Sequence, residues 1–157
     1  MINLNHITAE LGFAHSVIRK LDIETHRQHI TESTKKEFSM LIKHSQPQII
    51  GNNKVGTLLM QISVIVKSED SSPDDSFTIV LEGSFLADKD LDEELFLNLL
   101  NLNGGAALYS IARSKLETIS SVTYEEGKIL LPMINMLQFF QQAASVANQP
   151  NHQDILH

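Results

Sequence analysis

The sequence of 157 residues contains no cysteine. Disulfide bonds, cysteine-based zinc sites and thiol catalysis are therefore excluded, and a reducing compartment is favoured. Basic residues are also scarce, because 12 lysines and arginines stand against 19 acidic residues and give a formal net charge of -7. Phosphate binding needs clustered cations, so this charge argues against nucleic acid and anionic membrane surfaces as partners.

Long apolar runs are missing as well. No apolar segment approaches the roughly 20 residues of a membrane-spanning helix, so we expect no membrane insertion. Residues 1–13 have neither the charged nor the apolar region of a signal peptide, and we expect a cytoplasmic protein. The length fits one domain. We expect an N-terminal extension at 1–10, a single domain at 11–147 and a flexible tail at 148–157.

Motifs for catalysis and metal binding are also absent from the sequence. His26 and His29 are three residues apart, but spacing fixes no third ligand near them. The segment NGGAAL at 103–108 lacks the glycine spacing and lysine of a phosphate loop, and we interpret it as a backbone break that allows close helix packing. Glu125 and Glu126 are interpreted as solvated acids. We therefore predict a non-enzymatic protein with no metal site and no cofactor.

The first half of the chain alternates between apolar and polar residues. In the segment 58–66 every second residue is apolar, and a period of two is typical of half-buried strands. The short polar links carry turn-forming residues, which favour antiparallel hairpins. We place four strands at 11–24, 36–49, 54–68 and 76–87.

Helical periodicity begins after the fourth strand. We predict helices over 88–103, 106–122 and 132–147, with the first broken or kinked by Gly104 and Gly105. Strands followed by helices are typical of α+β proteins with the helices packed on one side of an antiparallel sheet. The fold class is therefore predicted as α+β: a four-stranded antiparallel sheet followed by two main helices.

The predicted elements carry more apolar residues than one core requires. The helix at 132–147 has two apolar stripes, and its remaining polar residues are uncharged. The sheet face opposite the helices also carries apolar residues: Ile18, Leu41, Leu59, Ile65, Val80 and Leu86. Such a surplus indicates subunit contacts or a binding groove.

Three segments together resemble the SecB-type export chaperones. They read GSF at 83–85, LYSIAR at 108–113 and LPMIN at 131–135, and the resemblance extends over 12–147. It implies a SecB-like fold assembled as a homotetramer (a dimer of dimers). It also implies an ATP-independent holdase that binds unfolded preproteins, keeps them translocation-competent and passes them to the SecA motor for protein export.

In that family clients lie along apolar grooves between sheet and helices. Carried onto this sequence, the resemblance and the apolar pattern together predict client contacts for eight residues. They are Leu58, Met60, Ile62, Leu108, Met133, Met136, Phe139 and Phe140.

Docking of the motor is where the sequence departs from the family. Thr78 occupies a position where the family carries an acidic residue that docks the motor. Asp22, Glu24 and Glu82 are candidates to replace that acid. Some divergent relatives are instead dedicated chaperones of an antitoxin in toxin–antitoxin systems, which is the first alternative. A small-ligand-binding α+β domain is an alternative from another class.

Overall fold

A computed structural model describes residues 10–147. The predicted N-terminal extension, apart from Glu10, and the predicted tail at 148–157 lie outside the described residues. The strands are β1 (Gly12–Glu24), β2 (Lys36–His44), β3 (Gln48–Ile50), β4 (Asn53–Val66) and β5 (Asp75–Asp88). The helices are α1 (Glu93–Leu99), α2 (Gly105–Thr123) and α3 (Met136–Ala147).

The sheet is antiparallel, with the strand order β1-β5-β4-β2. The short β3 continues the β2 edge and also pairs with β4. Strands come first and helices follow on one face, so the predicted α+β class is confirmed. The predicted second strand at 36–49 is divided into β2 and β3.

The core lies between α2 and the two central strands. Alternate residues of β4 and β5 face the helix, as the period-two pattern predicts, and Leu58, Ile79 and Leu81 are completely buried. Leu108 and Leu116 of α2 are buried against them. We call this side of the sheet the inner face.

Two β-bulges change which residues of β1 reach the inner face. The register shifts between Phe13 and His15 and again between Ile18 and Lys20. Because each extra residue reverses the alternation, Ile18 pairs with the buried Leu81 and packs against the core. Its predicted place on the opposite face is therefore wrong.

The helices also depart from their predicted bounds. A π-helical turn at Leu100–Gly104 joins α1 to α2, so the two glycines do not end the helix. A side chain at Gly104 would press on Leu58 and Phe85, which explains the glycine by close packing. Residues 131–135 are not helical, and α3 begins only at Met136.

The continuous helical stretch Glu93–Thr123 has the length and composition of a membrane span. By length and composition alone, this stretch contradicts the expectation that no segment approaches a membrane span. Phe96, Leu108, Ala112 and Leu116 in this stretch are completely buried against the rest of the domain. These four apolar residues of the stretch belong to the core.

Asp75, the first residue of β5, is a buried acid beside the C-terminal end of α2. Asp75 accepts hydrogen bonds from the His26 backbone N–H (2.8 Å) and the Tyr124 hydroxyl (2.8 Å). The Nε atom of Arg27 lies 2.9 Å from the same carboxylate. Burial, followed by the bond to Asp75, raises the pKa of Tyr124. This network joins the end of α2 to β5 and to the chain that follows β1.

Candidate functional site

In the part of the chain that the structure describes, the inner faces of the two central strands are buried beneath the helices, whereas those of the edge strands are partly exposed. On the inner face of β2, Phe38 is 40% exposed and Met40 and Ile42 are half-buried. On β1 the inner-face residues Leu21 and Ile23 are 40% and 38% exposed. Apolar surface therefore remains on both flanks of α2.

On the β2 flank, the chain returns from the end of α2 to the start of α3. We call residues 125–135 the return segment. Its lower end is held by Glu125 N–H to Gln28 O (2.9 Å) and Ile30 N–H to Glu126 O (3.0 Å). Its upper part is held by the Tyr109 hydroxyl, which donates to Pro132 O (2.7 Å). The segment therefore forms a wall that faces β2.

Two adjoining cavities lie between this wall and β2. The upper cavity has a volume of about 460 Å³, and the lower cavity about 640 Å³. Phe38 lines both cavities, so they form one depression, which we call the β2 groove. Its upper lining is Phe38, Ser39, Met40, Ile62, Tyr109, residues 131–135, Gln138, Phe139 and Gln142.

The upper cavity has no charged side chain among its lining residues. Asn135, Gln138 and Gln142 supply amide groups, which both donate and accept hydrogen bonds. Near the lower cavity Lys36 Nζ donates to Thr31 O and Thr34 O, both at 2.9 Å, and burial lowers the pKa of Lys36. The upper cavity thus combines apolar walls with neutral polar groups, which suits uncharged polypeptide, whereas Glu32, Lys36 and Lys128 line part of the lower cavity.

Asn135 sets the position where α3 starts beside the groove. Its side-chain oxygen accepts from Gln138 N–H (3.2 Å), and its carbonyl accepts from Phe139 N–H (3.0 Å). Met136, 7% exposed, is buried against Gly105. Met136 therefore anchors the start of α3, while Phe139 is directed into the groove.

The structure divides the eight predicted client contacts into two groups. Ile62, Met133 and Phe139 line the upper cavity, although Ile62 is only 2% exposed, and Phe140 lies next to Phe139 with ring centroids 5.3 Å apart. The others are inside the core: Leu58, Met60 and Leu108 are completely buried, and Met136 is nearly so. None of these four lines either cavity of the groove.

Several residues that line the groove were not among the predicted client contacts. Phe38 lines both cavities, and Tyr109 and Gln138 line the upper one. The alternation of β2 placed Phe38 and Met40 on one face of a strand, but it could not show that this strand forms an edge. The uncharged polar face of the last helix was the signal for Gln138 and Gln142.

The three acids predicted for motor docking lie on β1 and β5, and each has a basic partner. Glu82 accepts two bonds from Arg19, at 2.6 and 3.2 Å. The Oδ2 atom of Asp22 lies 2.6 Å from Lys20 Nζ, and Glu24 Oε1 lies 3.1 Å from His26 Nε2. Arg19 and Lys20 therefore offset the charges of Glu82 and Asp22.

Comparison with known proteins identifies the fold. No family model matches the chain, and no curated protein sequence matches it. A solved structure that it resembles is the SecB-like chaperone Rv1957 of Mycobacterium tuberculosis, in complex with a ChAD peptide from the antitoxin HigA1 (Rv1956). The two chains are 10% identical, with a TM-score of 0.54 over 79% of this chain and 90% of the other. The fold is therefore SecB-like.

Proposed function

We propose that this protein is an ATP-independent chaperone that binds non-native polypeptides in the β2 groove. The observation that carries the proposal is the upper cavity of the β2 groove, which has apolar walls and no charged lining residue on an otherwise acidic protein. Such a cavity accepts many apolar sequences, because no buried charge has to be matched. Met133, 81% exposed at the groove rim, adds a flexible side chain that adapts to different partners.

The expected affinity follows from apolar burial. Each well-buried leucine or phenylalanine side chain contributes roughly 1.5–3 kcal/mol, and a micromolar complex requires about 8 kcal/mol net. Several apolar client side chains spread along the groove reach that value after the cost of ordering the client. The proposal therefore predicts micromolar binding of extended apolar segments.

Aggregation suppression tests the proposal directly. A denatured, slow-folding precursor protein is diluted without ATP, with and without this protein, and light scattering is followed. We expect suppression near stoichiometric subunit ratios. The variants Phe38→Ala and Phe139→Ala should weaken client binding by roughly tenfold or more, because each removes an apolar wall of the groove.

Leu41→Ala is the matched control. Leu41 lies on β2 beside Met40 but on the opposite face of the sheet, and it is 51% exposed. This variant should retain suppression and an unchanged circular dichroism spectrum. A folded wild-type protein that fails to suppress aggregation, or equal losses in the Leu41 and Phe139 variants, would contradict the proposed function.

A dedicated antitoxin chaperone is the second candidate. The structural neighbour was solved with an antitoxin-derived peptide, and the three acids predicted for motor docking each lie within 4 Å of a basic side chain. A narrow client range would favour this role, with tight binding of one partner encoded nearby. A broad range, together with an affinity for a SecA-type motor, would favour preprotein export.

Light scattering or sedimentation would test the homotetramer that we propose for either role.

A further inference from the structure

Met133 is the methionine most open to solvent among residues 10–147. It is 81% exposed, whereas Met136 is 7% exposed and Met60 is completely buried. Met40 is half-buried on β2. Oxidation of a side-chain sulfur depends on whether the oxidant can reach it, so susceptibility follows exposure. Of these four sulfur atoms, that of Met133 is therefore the one most open to oxidation.

The sulfur of Met133 lies beside a cation. Arg113 of α2 is half-buried, and its Nη1 atom lies 2.9 Å from Met133 Sδ. In the described part of the chain, this is the one hydrogen bond that the Arg113 side chain donates. The carboxylate of Glu117, one turn further along α2, accepts instead from Lys128. The guanidinium therefore keeps further N–H donors for a stronger acceptor at the sulfur.

A sulfoxide at Met133 is a better partner for Arg113 than the thioether is. A thioether sulfur is a weak acceptor, whereas a sulfoxide is polar, and hydrogen bonds from a charged donor are the stronger ones. With hydrogen peroxide as the oxidant, an S–O bond forms while the O–O bond breaks. The departing hydroxide takes the proton of the transferred oxygen and leaves as water. The sulfur is oxidised by this step, and the peroxide is reduced.

We propose that Met133 is a site of reversible oxidation, at which Arg113 holds the sulfoxide oxygen and so regulates the β2 groove. The inference rests on the proposed chaperone function, because its consequence is a change in client affinity. Met133 lines the upper cavity together with Phe38 and Phe139. Oxidation places a polar group on this apolar wall, and the bond from Arg113 keeps it there. An apolar client must displace that bond or bury the polar group beside it, so it binds more weakly.

Peroxide treatment followed by mass spectrometry tests the site. The folded protein is exposed to hydrogen peroxide, and tandem mass spectrometry locates each added oxygen. Fragmentation is required, because no lysine or arginine follows Lys128, and trypsin leaves Met133 and Met136 in one peptide. We expect Met133 to be oxidised at least about tenfold faster than Met60 or Met136, with the difference lost in denaturant. Equal rates in the folded protein would overturn the proposal.

Client affinity before and after oxidation tests the regulation. The probe is a reduced and alkylated protein that stays unfolded, labelled with fluorescein and followed by fluorescence anisotropy. Oxidation of the wild type should weaken binding about tenfold, since an apolar contact is replaced by a polar group. Met133→Leu is the matched control: leucine has no sulfur, so peroxide should leave the affinity of this variant at its untreated value. An equal loss in the treated leucine variant would overturn the proposal, because the responsible oxygen would lie elsewhere.

Arg113→Leu tests whether the guanidinium holds the oxygen. Without donors at this position the oxidised side chain turns its oxygen to solvent, so oxidation should weaken binding only about threefold. A methionine sulfoxide reductase, which restores the thioether, should also act on this variant about threefold faster, because no hydrogen bond from Arg113 has to be broken. The reduction rate does not depend on client binding. Equal reduction rates in the variant and the wild type would overturn the role of Arg113.

The outcomes separate this proposal from the proposed function. A reduced wild-type protein that binds no unfolded chain would contradict the chaperone, and the oxidation map and reduction rates would still decide whether Met133 and Arg113 form a modification site. Binding that is unchanged after complete oxidation of Met133 would keep the chaperone and overturn the regulation. Selective oxidation, with weaker binding that the reductase restores, would support both.

Discussion

The central and edge strands have the same apolar alternation but different surroundings. On β5, Phe77 and Ile79 are completely buried, whereas their β1 partners Ile23 and Leu21 are 38% and 40% exposed. At the opposite edge of the sheet, but on the same inner face, Val64 is completely buried and its β2 partner Phe38 is 40% exposed. One helix, about 10 Å wide, covers two strands spaced about 4.8 Å apart.

The difference shows how one pattern serves both stability and binding. Apolar residues under α2 stabilise the domain, because their surface is removed from water on folding. Equivalent residues on β1 and β2 keep part of their apolar surface available for a partner. Substitution at a central position should therefore change mainly stability, and substitution at an edge position should change mainly binding.

The largest effect is expected for Phe77→Ala. Phe77 is completely buried and lies 5.7 Å from Tyr124 between ring centroids, so its removal leaves a cavity. Such truncations cost about 3–5 kcal/mol. The matched Phe38→Ala should cost less than about 1.5 kcal/mol, because Phe38 is already partly solvated. Urea unfolding of both variants measures the difference, and equal losses would contradict the division between centre and edge.

Asp75→Asn extends the comparison to charged groups. Asp75 is completely buried beside Arg27, so the substitution leaves that guanidinium without its carboxylate. We expect a loss of about 3 kcal/mol in the free energy of unfolding. Asp74→Asn is the control: the side chain of Asp74 is 39% exposed and 3.1 Å from Lys67 Nζ. A small effect at Asp75 would show that solvent reaches the network.

Sequence periodicity predicted the central strands and the fold class well, because a buried face imposes its pattern on every second residue. It failed on β1, where two bulges reverse the alternation and bring Ile18 to the core. Bulges add one residue without a distinctive composition. Pro132 was interpreted as the first turn of a helix, whereas the chain remains non-helical until Asn135 caps α3.

The candidate site was predictable only in part. Apolar stripes identified Ile62, Met133 and Phe139, which line the groove. The same reasoning selected Leu58 and Leu108, which are completely buried. Periodicity indicates which side chains face the helices, but it does not indicate how many strands the helices cover. The strand order decides this, and it depends on pairings between residues distant in sequence.

Gly127→Ala should have the next largest effect. Gly127 has φ of +90°, and an added Cβ would overlap the carbonyl oxygen of Ile30. We expect a loss of about 2–3 kcal/mol, because the left-handed conformation and the overlap both oppose alanine.

Gly51→Ala is the matched control for that substitution. Gly51 also has a positive φ, +61°, but an added Cβ would meet nothing within 4 Å. Its cost should be only about 1 kcal/mol, from conformation alone. Thermal unfolding of both variants separates the two contributions. Equal costs would mean that the return segment moves away from Ile30 easily, so that the groove wall is adaptable.

The smallest effect is expected for Glu82→Gln on the outer face of the sheet. The hydrogen bonds from Arg19 hold the pKa of Glu82 below its ordinary value. A lowered carboxyl pKa stabilises the folded state above the unfolded pKa of about 4.3, and this contribution is lost as the pH falls. Since the pair is near the surface, the variant should unfold at most about 3 °C lower near pH 7. The difference should disappear once the pH is below the lowered pKa of folded Glu82, where the carboxylate is protonated in both states. A difference that persists in acid would mean that Glu82 stabilises the sheet through packing of its side chain and not through its charge.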